Sequence, residues 1–264
     1  MEATRPCAER FMLVGPERVF YAGLLGRPRK RTLGSFILFC SMEGRLELSV
    51  TGEPTRVLEA AVLPAYAEHS IASEHRCVIG VLIEPESVDP QALARLEAEA
   101  RAMDQAVLAG RLREAYQRLR ITPLKHEMTT AAFDEAALGL ALAPRRLDPR
   151  IARILAILAE RPGDPLSADA CARLTRLSVS RFLHLFKQET GFSFRALRAW
   201  KRARHLLNYA NETINMAHLA LDIGYPDSTH FSHSIRRFYG LQPRAIFSGS
   251  RELEIFRSGD ADRP

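Results

Sequence analysis

Cysteine is scarce in this 264-residue chain: four residues, at 7, 40, 77 and 171, with no CxxC spacing and no histidine at ligand intervals. Nothing in that spacing points to a metal site or a disulfide framework, and four buried thiols in a reducing compartment are expected. Long apolar runs are also missing, none approaching the ~18 residues of a membrane span. Met1-Glu2-Ala3-Thr4-Arg5-Pro6 lacks the apolar stretch of a secretory signal. The expected location is therefore the cytoplasm. Neither a glycine-rich phosphate loop nor a Ser/His/Asp arrangement is readable, so no catalytic residue and no cofactor are expected.

What is present is an ordinary apolar fraction, 47%, and an uneven distribution of charge. From Arg150 onward 18 Lys and Arg stand against 11 Asp and Glu, whereas the preceding residues carry 19 against 20. A basic half beside a neutral one suggests a polyanion-binding domain attached to something else.

Residues 18–85 read as short strands. Phe36-Ile37-Leu38-Phe39-Cys40 is an apolar run of strand length, and Met42-Glu43-Gly44 supplies a turn. Leu46, Leu48 and Val50 then alternate with Glu47, Ser49 and Thr51, the period-two pattern of a half-buried strand. Further apolar runs at Val57-Leu58, Ala61–Leu63 and Val78–Ile83, punctuated by Pro64 and Pro85, predict a small barrel or sandwich. From Asp89-Pro90, an N-cap followed by proline in the first turn, the period changes to 3.6. Leu93, Leu96, Ala100, Met103 and Val107 fall on one face, and Leu108, Leu112 and Leu119 carry the pattern to a break at Thr122-Pro123. A second helix is expected over 130–142, and Pro144–Pro149 reads as a linker. Whether the Leu stripe packs on the chain's own barrel or on a second copy stays open.

The second half repeats itself. Ala172 and Ala220 each precede a core Phe (Phe182, Phe231) by about ten residues. Another apolar residue follows four later (Phe186, Ile235), and then comes a Gly able to cap a helix in the left-handed conformation (Gly191, Gly240). These are two helix-turn-helix units in register, joined by a basic helix over 194–209 that carries Arg195, Arg198, Lys201, Arg202 and Arg204. At 100° per residue, Phe182, Leu185 and Phe186 face the core; Ser180, His184 and Lys187 face away, with Arg181 and Leu183 flanking them. In the second unit Phe231, Ile235 and Phe238 face in, and Thr229, His233, Arg236 and Arg237 face out.

At these residues the chain resembles the AraC/XylS family of bacterial transcription regulators. The resemblance rests on the Gly224-Tyr225 turn and on Gly240-Leu241-Gln242-Pro243; Ser178–Phe186 and Trp200-Lys201-Arg202 are similar to one subgroup. It covers roughly 166–244. It implies an α+β chain: a small cupin-like β-barrel, a helical linker, and an all-α domain of two helix-turn-helix units joined by a long helix. The implied division is an effector-sensing domain over 1–86, a linker or dimerisation region over 87–147, a DNA-binding domain over 148–250 and a loose tail over 251–264. By position in the family's motif, Ser180, Leu183, His184, Ser228, Thr229 and His233 match base-contacting sites. The family often carries Arg or Gln there, so this chain implies less discrimination per base pair. Leu183 suits a thymine methyl and His184 a guanine acceptor; Arg181, Lys187, Arg236 and Arg237 suit phosphates, which hold register without reading sequence. The two recognition helices would enter adjacent major grooves about 34 Å apart. The implied partners are double-stranded DNA, RNA polymerase if the chain is an activator (the sign the family favours), a small-molecule effector and a second copy in a homodimer.

Three further readings accompany this one. His69 and His75 with Glu68 and Glu74 do not make a metal site, because neighbours in a strand point to opposite faces. Arg27-Pro28-Arg29-Lys30-Arg31 is an exposed basic loop or, through Arg27 and Arg31, a grip for an anionic or nucleotide effector. Its RxxxR resembles the start of the PilZ motif for cyclic di-GMP, without that motif's second half. Replacing Arg27 and Arg31 with Ala is expected to leave the fold and basal DNA binding intact. The rival functions are a constitutive DNA binder whose barrel only dimerises, and an enzyme fused to a DNA-binding domain with Cys40 or Cys77 as nucleophile. A fragment spanning 150–250 is expected to fold and bind DNA alone. A folded fragment with no binding at low salt would show that the chain is divided elsewhere.

Overall fold

In the computed structural model, residues 9–27, 29–123, 125–164 and 166–258 are described. The N-terminal segment Met1–Pro6, Cys7, Pro28, Pro165 and the last six residues of the expected tail lie outside them.

The apolar runs of the first half become β1 (Phe11–Val14), β2 (Arg18–Leu24), β3 (Phe36–Ser41), β4 (Leu46–Val50), β5 (Arg56–Leu58), β6 (Ala60–Leu63), β7 (His69–Ser73) and β8 (Cys77–Ile83). They form a six-stranded sheet, completed by β9 (Glu254–Arg257), in the order β6-β3-β8-β2-β1-β9, and a three-stranded sheet β5-β4-β7. The expected small barrel is met only coarsely: these are two sheets, not one closed barrel.

The run at Phe36–Cys40 is continuously apolar because the larger sheet is covered on both faces. Phe36, Leu38 and Cys40, with Phe11, Phe20 and Ile79, face one core; Ile37 and Phe39, with Met12, Val19 and Val78, face another. The first core is closed by α1 (Pro90–Ala102), α2 (Gln105–Ile121) and α3 (Thr130–Leu138). Leu108, Leu112 and Leu119 are buried there, so the Leu stripe packs on the chain's own sheet. The single helix expected up to Thr122 is broken at Met103, because Asp104 accepts the amide hydrogens of Ala106 (2.9 Å) and Val107 (3.4 Å) and starts a new helix. Val107 accordingly lies outside the stripe, 49% exposed. Helix α3 stops at Gly139, with φ 78°, four residues before the expected end. A buried bidentate pair, Arg18 to Asp134 at 2.7 and 3.0 Å, ties it to β2.

The second half supplies α4 (Pro149–Glu160), α5 (Ala168–Thr175), α6 (Val179–Thr190), α7 (Phe194–His205), α8 (Met216–Asp222), α9 (Ser228–Tyr239) and α10 (Pro243–Gly249). The first unit has its own core: Ile151, Ile154, Phe182, Phe186, Phe194 and Leu197. The second does not. Trp200, Leu219, Phe231, Ile235 and Phe238 belong to the same core as Met12, Ile37, Phe39 and Val78 of the large sheet.

Two expectations are corrected here. The tail is not loose over its described part: β9 pairs in parallel with β1, Phe11 opposite Glu254 and Val14 opposite Arg257. Leu253 is buried, Phe256 meets the ring of Phe11 edge-on, and Ser258 donates to the Val14 carbonyl at 2.9 Å. The tail thus covers the free edge of β1, which would otherwise expose unpaired backbone groups. Second, the four cysteines are not all free thiols: Cys40 and Cys171 are free and buried, whereas Cys77 is disulfide-bonded.

The halves meet through a buried ionic cluster. Glu84, at the end of β8, accepts from Ser35 Oγ (2.7 Å), Trp200 Nε1 (3.0 Å) and Lys201 Nζ (2.7 Å), and pairs with Arg204 at 3.2 Å. Lys201 also reaches Glu86 at 2.5 Å, and Arg204 donates to the carbonyls of Gly15 (2.6 Å) and Arg18 (3.1 Å). Gly34 lies so close to the indole of Trp200 that a Cβ would collide with it.

Burial alone would push the Glu84 carboxyl up, but Lys201 and Arg204 outweigh it and hold the group down at about 2. Glu86 is shifted upward: burial dominates and Lys201 offsets it only in part. The Glu84 contribution to stability is therefore complete above the ordinary carboxylate value of about 4.5 and is lost as pH falls towards 2. Glu84→Gln should cost about 3–5 kcal/mol at neutral pH, because it leaves cations buried without their partner. It should also flatten the pH dependence of stability between about 4.5 and 2. Urea unfolding of both proteins at pH 7 and pH 4 tests this; equal stabilities at pH 7 would remove the cluster as the link between the halves.

Candidate nucleic-acid interface

Each helix-turn-helix unit is built by the same local devices. In the first, Arg176 takes a left-handed conformation (φ 54°) after α5, and the Leu177 amide donates back to the Ala172 carbonyl at 2.9 Å. In the second, Gly224 (φ 80°) follows α8, and the Tyr225 amide donates to the Ala220 carbonyl at 2.8 Å. Both alanines are buried, which lets the following helix cross closely. Glycine is required at 224 for a second reason: a Cβ there would strike the backbone of Gly163. At 176 an arginine bears the left-handed strain instead.

The recognition helices are capped at both ends. Ser178 Oγ accepts the Arg181 amide hydrogen at 3.3 Å at the start of α6. Asp227 accepts from Thr229 and His230, both at 2.8 Å, at the start of α9. Gly191 and Gly240 end the helices in the left-handed conformation, at φ 84° and 69°. Phe182 and Phe186 turn inward from α6, meeting Phe194 at 5.3 Å each; Phe231, Ile235 and Phe238 are buried from α9.

The opposite faces are open. On α6, Ser180, Arg181, Leu183, His184 and Lys187 are all exposed, with Leu183 at 39% despite its apolar side chain. On α9, Ser228, Thr229, His233, Arg236 and Arg237 are exposed as well. The structure thus brings the two expected rows to the surface, each along one side of its helix. Arg237 differs from Arg236 in position: its carbonyl accepts the Thr32 amide hydrogen at 3.0 Å, and its guanidinium lies 5.5 Å from the centre of the Phe238 ring. It sits where α9 meets the N-terminal sheets.

The basic connector reads differently once folded. Lys201 and Arg204 are buried against Glu84 and Glu86, Arg198 donates to the Leu166 carbonyl, and Arg202 lies over the Tyr225 ring at 5.4 Å. These cations hold the protein together rather than forming a surface for a polyanion. Helix α7 also ends at His205, and the expected remainder to Tyr209 is a 3-10 turn. Sequence periodicity did not reveal their partners, because Glu84 and Glu86 sit more than a hundred residues earlier.

The loop at 27–31 also departs from expectation. Arg27 and Arg29 are exposed, but Arg31 is 6% exposed and pairs its backbone with His69 at 2.8 and 3.0 Å. The loop therefore touches the second helix-turn-helix unit: Gly240 lies against the carbonyls of Arg29 and Lys30. His69 is buried, its Nδ1 bonded to the Ala67 carbonyl at 2.9 Å, and burial lowers its pKa to about 4.

Comparison with known proteins agrees with this architecture. A helix-turn-helix domain family matches residues 171–248. The HTH-type transcriptional activator RhaS of Escherichia fergusonii is 34% identical over 106 residues, which are 39% of this chain and 37% of that one. RhaS of an Enterobacter species is 32% identical over the same length. The chain thus spans little more than a third of the length of these relatives. Among solved structures, an apo ToxT variant from Vibrio cholerae shares 12% identity and a TM-score of 0.56 over 88% of this chain and 97% of that one, a likeness of fold. The match over residues 171–248 coincides with the two units of one skeleton in tandem, and with the RhaS relatives it supports the resemblance of this part of the chain to the AraC/XylS family.

Proposed function

We propose that this chain is a sequence-specific DNA-binding transcription regulator that places α6 and α9 in two successive major grooves. The observation that carries this is the pair of exposed rows, Ser180–Leu183–His184 and Ser228–Thr229–His233, on helices whose inward faces bury Phe182, Phe186, Phe231, Ile235 and Phe238. In this reading those six side chains read base edges, and Arg181, Lys187, Arg236 and Arg237 hold phosphates. Residues 148–250 form the DNA-binding part. Residues 1–86 and 87–147, the cupin-like sheets and their helices, form a part that holds a small effector and modulates binding. The relatives are named as activators; we extend that sign to this chain, with RNA polymerase and a second copy of the chain as partners.

The enzyme reading has less support. Burial, only partly offset by Arg113, pushes the Cys40 thiol up to about 12, where it is a poor nucleophile, and Cys77 is disulfide-bonded.

Positioning and readout separate by mutation. His184→Ala should cost about 1–3 kcal/mol on the cognate site and flatten preference at one or two base pairs. Arg236→Ala should weaken cognate and scrambled DNA alike and lower the slope of log affinity against log salt by about one. Fluorescence titrations of both variants at several salt concentrations measure the two effects. A uniform loss for His184→Ala with a shifted base preference for Arg236→Ala would reverse the orientation of the helices in the grooves.

A further inference from the structure

The loop between β2 and β3 is pressed along the end of the second recognition helix. Gly26 packs so closely on the Leu241 side chain that a Cβ would collide with it. The carbonyls of Arg29 and Lys30 lie against Gly240, and the Thr32 amide donates to the carbonyls of Arg237 (3.0 Å) and Phe238 (3.3 Å). Arg31 ties the same stretch to the sheets, exchanging backbone hydrogen bonds with His69 at 2.8 and 3.0 Å. A segment held at so many points is preorganised for whatever it meets. Its cations are nevertheless open to solvent. Arg27, Arg29 and Lys30 are exposed, and among the described residues neither Arg27 nor Arg29 has an acidic partner. Lys30 meets Glu68 at 2.9 Å, an exposed pair of little strength.

The side of α9 on which the loop lies decides what those cations are near. At about 100° per residue, position 240 falls within about 20° of His233 and about 40° of Arg236, and about 6 Å beyond Arg236 along the axis. The row Thr229, His233, Arg236 therefore runs on to Gly240. A Cβ at that position would stand 3.0 and 3.1 Å from the Arg29 and Lys30 carbonyls and 3.4 Å from the Arg29 Cβ. The row that faces DNA in our reading is thus continued, past the end of the helix, by a basic loop of the N-terminal half. Charges on one DNA strand recur about every 3.4 Å along the axis, so a duplex seated on the row carries phosphates beyond that end. The connector does not supply cations for them, because Lys201 and Arg204 are buried against Glu84 and Glu86. We propose that Arg27 and Arg29 hold backbone phosphates of the duplex beside the half-site read by α9. This rests on the DNA-binding reading and adds the N-terminal half to its interface.

Arginine forks suit phosphate oxygens, and such contacts add affinity and fix register without reading bases. Replacing Arg27 is then not silent in DNA binding, contrary to the expectation from the sequence. Two other roles compete for the same side chains. Cations beside the carbonyl end of a helix favour it through its dipole, a role that acts on stability with no DNA present. A small anion is the other rival occupant, and it gives DNA affinity no dependence on these residues when that anion is absent.

The test uses the full chain and a fluorescein-labelled duplex that the wild type selects from random DNA, titrated at several concentrations of sodium chloride. Arg27→Gln combined with Arg29→Gln should lower the slope of log affinity against log salt by about two. Cognate and scrambled duplexes should lose affinity alike, with base preference and melting temperature unchanged. Shortening the duplex at the end beside the α9 half-site should abolish the difference between wild type and double variant. If the double variant does not fold, each single replacement should lower the slope by about one. An unchanged slope in a folded variant overturns the proposal; a lowered melting temperature alongside it assigns the cations to the end of α9 alone. A loss of affinity that persists undiminished on the shortened duplex also overturns it. A wild type that selects no sequence removes the DNA-binding reading and this contact with it. Selection by the wild type with an unchanged slope in the double variant keeps that reading and removes only the contact.

Discussion

The seat of the connector helix on the N-terminal sheets is organised around one buried carboxylate. Glu84 is 1% exposed, and an isolated charge at that depth would be untenable. It is tolerated because Ser35 comes from the sheet side and Trp200, Lys201 and Arg204 from the connector helix, together filling its acceptor sites. The connector cannot swing away without leaving Glu84, Lys201 and Arg204 all unpaired in low dielectric. Buried ion clusters are poor sources of net stability, because desolvation consumes most of what attraction supplies. They are good at specifying one arrangement, since every alternative leaves a charge uncompensated. Here that arrangement is the seat of the second helix-turn-helix unit on the N-terminal sheets.

The same seat makes the two units unequal. The first closes its own core around Phe182, Phe186 and Phe194. The second borrows its core from the sheet, sharing Trp200, Phe231, Ile235 and Phe238 with Met12, Ile37 and Phe39. The chain's last described strand then returns to the first, β9 beside β1, and Arg257 donates to the Asn208 carbonyl at the end of the connector. The second unit is therefore gripped on three sides: by the ionic cluster, by the 29–34 loop on the end of α9, and by the C-terminal strand. The N-terminal half therefore touches α9 directly, through the Thr32 amide on its C-terminal end, while the first unit packs chiefly around a core of its own.

Local patterns determined much of this by themselves. Helix-turn-helix spacing follows from i, i+3 and i+4 periodicity and from the left-handed positions that end helices, so Phe182, Phe186, Phe231, Ile235, Gly191, Gly240 and both exposed rows were legible in the sequence. So were most strands, because alternation is a local property. The broken helix at Asp104 was also legible in principle, since an N-cap aspartate stood there, but the apolar period ran through it unbroken. What only tertiary structure decided are the properties that depend on distant partners. Lys201 and Arg204 look like DNA-facing cations until Glu84 and Glu86 are brought to them; Arg31 looks like part of a solvated loop until His69 pairs with it. The closed barrel gave way to two sheets, and the loose tail became a strand, because an unpaired edge at β1 needs a partner that no window of sequence around either segment reveals. Periodicity says which side of an element is apolar. What that side meets, and whether a charge is solvated or buried beside its counterion, is set by chain segments brought together only on folding.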